Sequence, residues 1–236
     1  MRPDETGVSN VNRTQRFASM IGGLALVVGL NGSLTDAQGQ APAGSPPPAA
    51  PAPDPTKPAL LEIAEGTTAR YKVREQFVGI NFPSDAVGTT EGVTGSIVLN
   101  PDGSIDAERS KITVDLRTLQ SDQRMRDGYI QGRTLQTEEH PHLVFVPKRA
   151  EGLEAPLPAR GQAGFQLIGD MTLRGVTKEV TWNVVATFGN DQVAGRATTS
   201  LTFEQFEMTK PSIGRLMSVD DKIDLEIEFR STRSAL

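Results

Sequence analysis

An all-β antiparallel domain is the fold class this sequence predicts, and three observations predict it. The first is a period-two alternation written twice between residues 165 and 188. Phe165, Leu167, Gly169, Met171 and Leu173 alternate with Gln166, Ile168, Asp170 and Thr172; Val180, Trp182, Val184, Ala186 and Phe188 then alternate with Glu179, Thr181, Asn183 and Thr187. Alternate residues of a strand share a face, so each run is a strand with one buried side. The second is a series of further short runs of the same kind, separated by strong reversals such as Pro101-Asp102-Gly103 and Gly189-Asn190-Asp191. The third is that hardly any segment carries a 3.6-residue period. About eight or nine strands with turns between them make an antiparallel barrel or a sandwich.

The N-terminus reads as an export signal. Arg13 and Arg16 precede the apolar stretch 17–30, and Thr35 and Ala37 stand among small and polar residues just after it. That order of charged, apolar and small residues predicts removal of residues 1–37, with the cut after Ala37. The alternative is an uncleaved anchor, but the stretch is shorter than the roughly 20 residues a span needs and Gly22, Gly23 and Gly29 dilute it. Residues 38–58 are dominated by Ala, Pro and Gly, including Pro46-Pro47-Pro48, and cannot bury enough apolar surface to fold. They predict an extended spacer. One domain remains, over 59–236.

Within it the strand candidates are 69–74, 77–82, 93–99, 112–116, 143–147, the two runs already described, 193–203 and 223–229. The last is the clearest, with Ile223, Leu225, Ile227 and Phe229 alternating with Asp224, Glu226, Glu228 and Arg230. Arg174-Gly175-Val176-Thr177-Lys178 joins the two long runs as a hairpin, with Gly175 where a reversal needs a positive φ. One short helix is expected over 128–137, at one end of the sheet. Asp127 is placed to cap it, and Pro141 forces His140 out of helical geometry.

Composition narrows the function. There is no cysteine in 236 residues, so stability rests on an ordinary core, and thiol nucleophiles, iron–sulfur clusters and cysteine zinc sites are excluded. The net charge of −5 is unchanged by losing residues 1–37, which carry three arginines and three acids. No nucleic-acid partner is expected. Small residues recur at inward positions (Gly95, Gly169, Ala186, Gly195, Ala197, Thr199), and aromatics are 5% of the chain. An eight-stranded barrel is wide enough to be filled by its own side chains or to hold one ligand. The small inward residues tilt this toward a ligand, but composition leaves both open, the alternative being a sandwich filled by Phe145, Trp182 and Phe203.

Few constellations suggest chemistry. His140 and His142 could share a metal as alternate strand residues, but no third ligand is indicated and a polar strand entry explains them, so no metal is expected. Arg124 and Arg126, beside Ser121, Asp122 and Asp127, could hold an anionic or carbonyl head group at a barrel mouth, or could pair with those local acids. No nucleophile elbow or phosphate loop is present, and no catalytic residue or cofactor is expected.

Five segments taken together resemble the YceI family of lipid-binding proteins. They are Tyr71-Lys72-Val73, Arg126-Asp127, the His140-Pro141 step leading to Phe145, Leu173-Arg174-Gly175-Val176-Thr177-Lys178 at the end of 169–178, and the closing strand 223–229. The resemblance covers most of 68–230. It implies a single eight-stranded, lipocalin-like barrel with a short helix at one end, exported in bacteria to the periplasm or beyond. It also implies a long polyisoprenoid, isoprenoid quinone or similar lipid held in an apolar tunnel for transport, storage or sequestration. Arg126 and Asp127 would be the family's Arg-Asp pair and Phe145 its buried aromatic. The chain departs from the commoner pattern at Arg74-Glu75-Gln76, where a His-Ser pair is frequent, and in its Pro-rich spacer.

The expected lining is Val93, Ile97, Ile112, Val114, Phe145, Leu167, Met171, Val180, Trp182, Val184, Leu201, Phe203, Leu225 and Ile227, with Arg124 and Arg126 for the head group. The expected partner is an apolar lipid, with transient membrane contact; sequence does not indicate an oligomeric state. A secreted hydrolase and a ligand-free interaction module are the competing classes. The first would need a positioned nucleophile and base, the second a filled interior.

Overall fold

The computed structural model describes residues 53–212, 214 and 216–236. The export signal over 1–37 and the part of the spacer before residue 53 lie outside the described residues. Eleven strands follow: β1 (Ala59–Ile63), β2 (Thr68–Phe77), β3 (Ser84–Thr90), β4 (Val93–Leu99), β5 (Lys111–Asp115), β6 (Gln120–Ser121), β7 (His142–Glu151), β8 (Gly161–Leu173), β9 (Val176–Phe188), β10 (Gln192–Thr202) and β11 (Leu216–Ala235). A short helix, α1 (Arg124–Tyr129), runs into a π-helical turn over Ile130–Leu135.

The pairing resolves these pieces into a closed eight-stranded antiparallel barrel with a short helix. β11 carries β10 along one edge; along the other it carries β2 over its first part and β1 over its last. β1 and β2 are therefore two halves of one interrupted strand. β4 pairs with β1 as β3 pairs with β2, and β5 and β6 continue the pattern against β4 and β3. β7, β8, β9 and β10 complete the circuit, each beside its predecessor. Closure removes the exposed edges that an open sheet would leave.

All three interruptions fall at one level of the wall. Between β1 and β2 the Thr67 hydroxyl, 2% exposed, accepts from the Arg230 amide at 3.0 Å and donates to the Ala64 carbonyl at 2.9 Å, replacing lost ladder bonds. Between β3 and β4 the Gly92 amide donates to Thr90 Oγ1 at 2.9 Å. Between β5 and β6 a 3₁₀ turn at Leu116–Thr118 is capped by Asp115, whose carboxylate accepts from the Arg117 amide at 3.0 Å. The wall thus bends along a line crossing three strands. Beyond that line the helical segment takes the place of sheet, tied down by Gln131 Nε2 donating to the Leu119 carbonyl at 3.0 Å and by Arg174 Nε donating to Gln136 Oε1 at 2.8 Å.

β9 carries the alternation read from sequence: Val180, Trp182, Val184, Ala186 and Phe188 are all buried and the residues between them exposed. Burial of each large member contributes roughly 1.5–3 kcal/mol. Phe145 meets Trp182 edge to face, ring centroids 6.2 Å apart.

Four expectations are corrected. Residues 77–82 are not a strand: β2 absorbs Phe77, and Val78, Ile80 and Phe82 form an exposed connection. Their apolar residues imitate a strand because they alternate with Gly79 and Asn81, though in the register opposite to the inward column of β2, while β1 is short and does not alternate and β3 is weakly apolar. The helix begins four residues early, at Arg124, and Asp127 does not cap it; its carboxylate accepts from the Ser121 amide at 2.9 Å and hydroxyl at 2.6 Å instead. The hairpin turn is only Arg174-Gly175, with φ of 51° and 76°, so Val176, Thr177 and Lys178 already belong to β9. Finally, the inward glycines do not make room for a ligand. A methyl group on Gly169 would lie 2.2 Å from the Val146 carbonyl oxygen, one on Gly195 2.2 Å from that of Val185, and one on Gly95 2.0 Å from that of Lys111. They permit close approach of neighbouring backbones.

Candidate functional site

Inside the barrel lie two cavities. The larger, about 440 Å³, occupies the end beyond the bend. Its wall is built from the inward column of β2 (Ala69, Tyr71, Val73), the facing column of β11 (Val219, Ile223, Leu225) and the underside of the helical segment (Ile130, Thr134, Leu135). The smaller, about 110 Å³, lies at the other end among Leu61, Ile97, Ile112, Phe165, Val184 and Phe229. Val114, Leu143, Trp182 and Ile227 line both, so this layer floors the large cavity and roofs the small one.

The linings are mostly apolar; besides the Arg70–Glu226 ion pair at 2.9 Å and the scattered Thr90, Gln123 and Ser231, the polar lining residues form two groups. At the mouth Arg126, its side chain 11% exposed, donates from Nη2 to Glu75 Oε1 at 2.7 Å, Glu75 itself being 8% exposed. Its Nη1 donates to Asp122 and, at 3.4 Å, to Ser121 Oγ. Burial works to lower the Arg126 pKa, but the Asp122 hydrogen bond and the charges of Glu75 and Asp122 outweigh it, and the net direction is upward. The cation is thus already matched by carboxylates. The second group is Tyr71, Thr134 and Trp182, residues of the large cavity's wall whose hydroxyls and indole N–H are buried and without a hydrogen-bond partner in the protein. Burial pushes the Tyr71 phenol up to about 12. Its ring occupies the space that a side chain on Gly88 would need, where an added methyl would lie 2.2 Å from Tyr71 Cε1.

Of the side chains singled out from sequence, the large cavity brings together Val114, Arg126, Trp182, Leu201, Phe203, Leu225 and Ile227. The small one takes Ile97, Ile112, Phe145, Leu167 and Val184. Val93, Met171 and Val180 reach neither cavity and are packed in the core around them. Arg124 is exposed on α1 and off the cavity wall. His140 lies against Gly175, and His142 pairs with Asp115 across β5 and β7; no cluster of three metal-binding side chains occurs among the described residues. Sequence reasoning missed Tyr71, Thr134, Leu135 and Met208 as lining. Tyr71 could have been found, since it precedes Val73 by two in the same strand; Thr134 could not, because its direction depends on the π-helical turn.

Comparison with known proteins agrees with this architecture. The family model for the YceI-like domain matches residues 64–231. A UPF0312 protein of Pseudomonas putida strain W619 is 27% identical over 197 residues, covering 74% of this chain and 92% of the relative. Among solved structures, a polyisoprenoid-binding domain from Saccharophagus degradans implicated in plant cell wall breakdown aligns with a TM-score of 0.56 at 8% identity, covering 75% of this chain and 98% of that one. Burkholderia cenocepacia BcnA aligns with a TM-score of 0.51 at 15% identity, covering 70% and 95%.

Proposed function

The chain belongs to the YceI-like family, and from that membership together with the open-mouthed apolar cavity we propose that it is a non-enzymatic carrier of an apolar lipid chain, exported to the periplasm or beyond. The chain would be a polyisoprenoid, an isoprenoid quinone or a similar lipid. The observation that carries this reading is the cavity of about 440 Å³, apolar on nearly every side, in the size range of sites that take small organic molecules. Apolar burial contributes about 25 cal/mol per Å², so a chain filling this space is held without many polar contacts. Non-enzymatic function is supported by the same lining: the ionised groups at the mouth are consumed in mutual pairs.

Delivery from a membrane is supported by the rim. Ile80, Phe82, Met125 and Met217 are exposed on segments bordering the mouth, Phe82 80% and Met125 79%. Export is supported by the sequence of residues 1–37 alone; intact mass of the protein recovered outside the cytoplasm tests it, with a full-length mass counting against cleavage.

The deciding experiment is organic extraction of the purified protein followed by mass spectrometry, then titration of the delipidated protein while reading Trp182 emission. A stoichiometric lipid and a saturable emission change are expected, because Trp182 floors the large cavity and is the one tryptophan of the chain. Absence of lipid together with a flat titration would return the barrel to a structural role.

A further inference from the structure

The apolar surface of the large cavity continues outward through its mouth. Five of the seven large apolar side chains exposed among the described residues, Val78, Ile80, Phe82, Met125 and Met217, stand on three segments there; Val185 and Leu236 are the two elsewhere. Each segment is joined to the cavity wall. Phe77 of β2 and Leu216 of β11 pair across the ladder and both line the cavity, and Val78 and Met217 are the residues that follow them. Met125 on α1 is 79% exposed and is itself a lining residue. Residues 76–84 hold no charged side chain, although connections between strands are ordinarily polar, and Phe82 among them is 80% exposed. A contiguous exposed apolar patch of this kind marks a contact surface.

Two features select a lipid bilayer as its occupant. The patch borders the opening through which an apolar chain enters and leaves, and a protein seated there, a second copy included, would close that opening. A chain passing straight from mouth to bilayer never meets water, and exclusion from water is what binds it. Charge does not supply the attraction: Arg126 is paired with Glu75 and Asp122, Lys210 with Asp221 at 3.2 Å, and the chain carries a net charge of −5, which anionic lipid would repel. The opposite pole is occupied differently. Pro53, Pro55 and Pro58 share a groove with Leu99 and Leu157, which also line the small cavity, and the Leu236 amide donates to the Pro58 carbonyl at 2.9 Å. Residues 53–58 and the C-terminal residue thus lie away from the mouth and leave it clear.

Resting on the carrier reading above, we infer that the barrel docks mouth-down on a bilayer by inserting Ile80, Phe82, Met125 and Met217 into its interface, and that zwitterionic lipid suffices. Such side chains lie at the boundary of head groups and acyl chains, and their hold scales with the apolar area they bury, so the contact is reversible.

The chain has no cysteine, so a bimane attached through Phe82→Cys or Met217→Cys reports from a single position, with Val185→Cys on the outer face of β9 as the control. When phosphatidylcholine vesicles are added to the purified full chain, the first two labels should shift to shorter wavelength and the third should not. The shift should be equal at low and high salt and no larger when phosphatidylglycerol is included. The label is local, so lipid contact made by residues 17–30 does not produce it. A second arm replaces Ile80, Phe82 and Met217 together by Ser, none of which lines the cavity. Loading of phylloquinone from vesicles, read by Trp182 emission, should slow on the order of tenfold, while affinity for farnesol added from solution is unchanged. Unmoved labels at 82 and 217, an equal shift at 185, binding that requires phosphatidylglycerol and is lost in salt, or loading as fast in the triple variant would overturn the docking. Labels that shift with rising protein concentration and no vesicles would overturn it too, and give the face to a second copy. A Trp182 emission that responds to neither farnesol nor phylloquinone sinks the carrier reading instead, and the labels then decide the docking by themselves.

Discussion

The two ends of this barrel are made from the same strands and behave as opposites. At the small-cavity end β1, β4 and β5 close against β8, β9 and β10, and Ile112, Phe145, Val184, Ala186 and Phe188 fill the interior until about 110 Å³ remains. Past the bend the ladder between β5 and β7 stops, α1 and the π-helical turn cover the gap, and about 440 Å³ is left. Inward side chains are no smaller there: Tyr71, Leu201, Phe203 and Leu225 line the larger space. The difference lies in the wall. A closed eight-stranded ladder is filled by ordinary side chains, whereas the larger space lies where the wall is broken on three strands and completed by helix.

Four measurements would break or sharpen that contrast. The largest effect should come from Gly195→Ala at the packed end, where the new methyl would meet the Val185 carbonyl oxygen at 2.2 Å and the Ala186 Cα at 2.8 Å, with no flexible atom to yield. A loss of about 4 kcal/mol or failure to fold is expected in chemical denaturation. A neutral result would mean that the strands there separate as freely as at the open end.

At the open end Arg126→Met should cost about 3 kcal/mol, because Glu75 is left buried without its cation, while Glu75→Gln with Arg126→Met should recover most of it. Denaturation midpoints of the two variants measure this. Similar losses for both would show that the pair holds the helical cover directly.

Filling the two cavities should separate them next. Ala186→Leu, in the wall of the small cavity, should overpack and cost about 1–3 kcal/mol; Ala86→Leu, in the wall of the large one, should cost under about 1 kcal/mol while weakening lipid binding. Equal stability losses would mean that the large cavity is as constrained as the small.

The smallest effect is electrostatic. The Tyr71 phenol has its folded pKa raised to about 12 by burial, above the ordinary tyrosine value near 10. Its contribution to stability is therefore fully present below about pH 10 and is lost as the pH rises through about 12. Tyr71→Phe should flatten the alkaline limb of the stability profile, and ultraviolet titration should show one late-ionising phenol fewer. An unchanged limb would place Tyr71 in contact with solvent.

Where each residue acts through its own strand, sequence was enough. The inward column of β9, the closing alternation of Ile223, Leu225 and Ile227, and the positive φ at Gly175 were all legible, because period two and glycine's freedom are local properties. So was the membership suggested by Arg126-Asp127 and the segment from Leu173 to Lys178, since it depends on order along the chain. Misreadings begin where a neighbour decides. Gly95, Gly169 and Gly195 read as space and turned out to be contact between backbones. Arg126 read as open either to a head group or to the acids beside it, and sequence could not show that Glu75, fifty-one residues away, also pairs with it.

By itself, then, the sequence determined an all-β domain with an apolar interior and the faces its long strands present, because a strand's faces alternate whatever lies beside it. Tertiary structure alone decided that three interruptions would fall at one level, that a helical segment would replace sheet beyond them, and that Tyr71, Thr134 and Trp182 would stand in the wall of one cavity with their polar atoms buried and unmatched. Those are properties of register and closure. Each depends on which distant residue stands opposite, and hydrogen-bond pairing settles that only when the barrel closes.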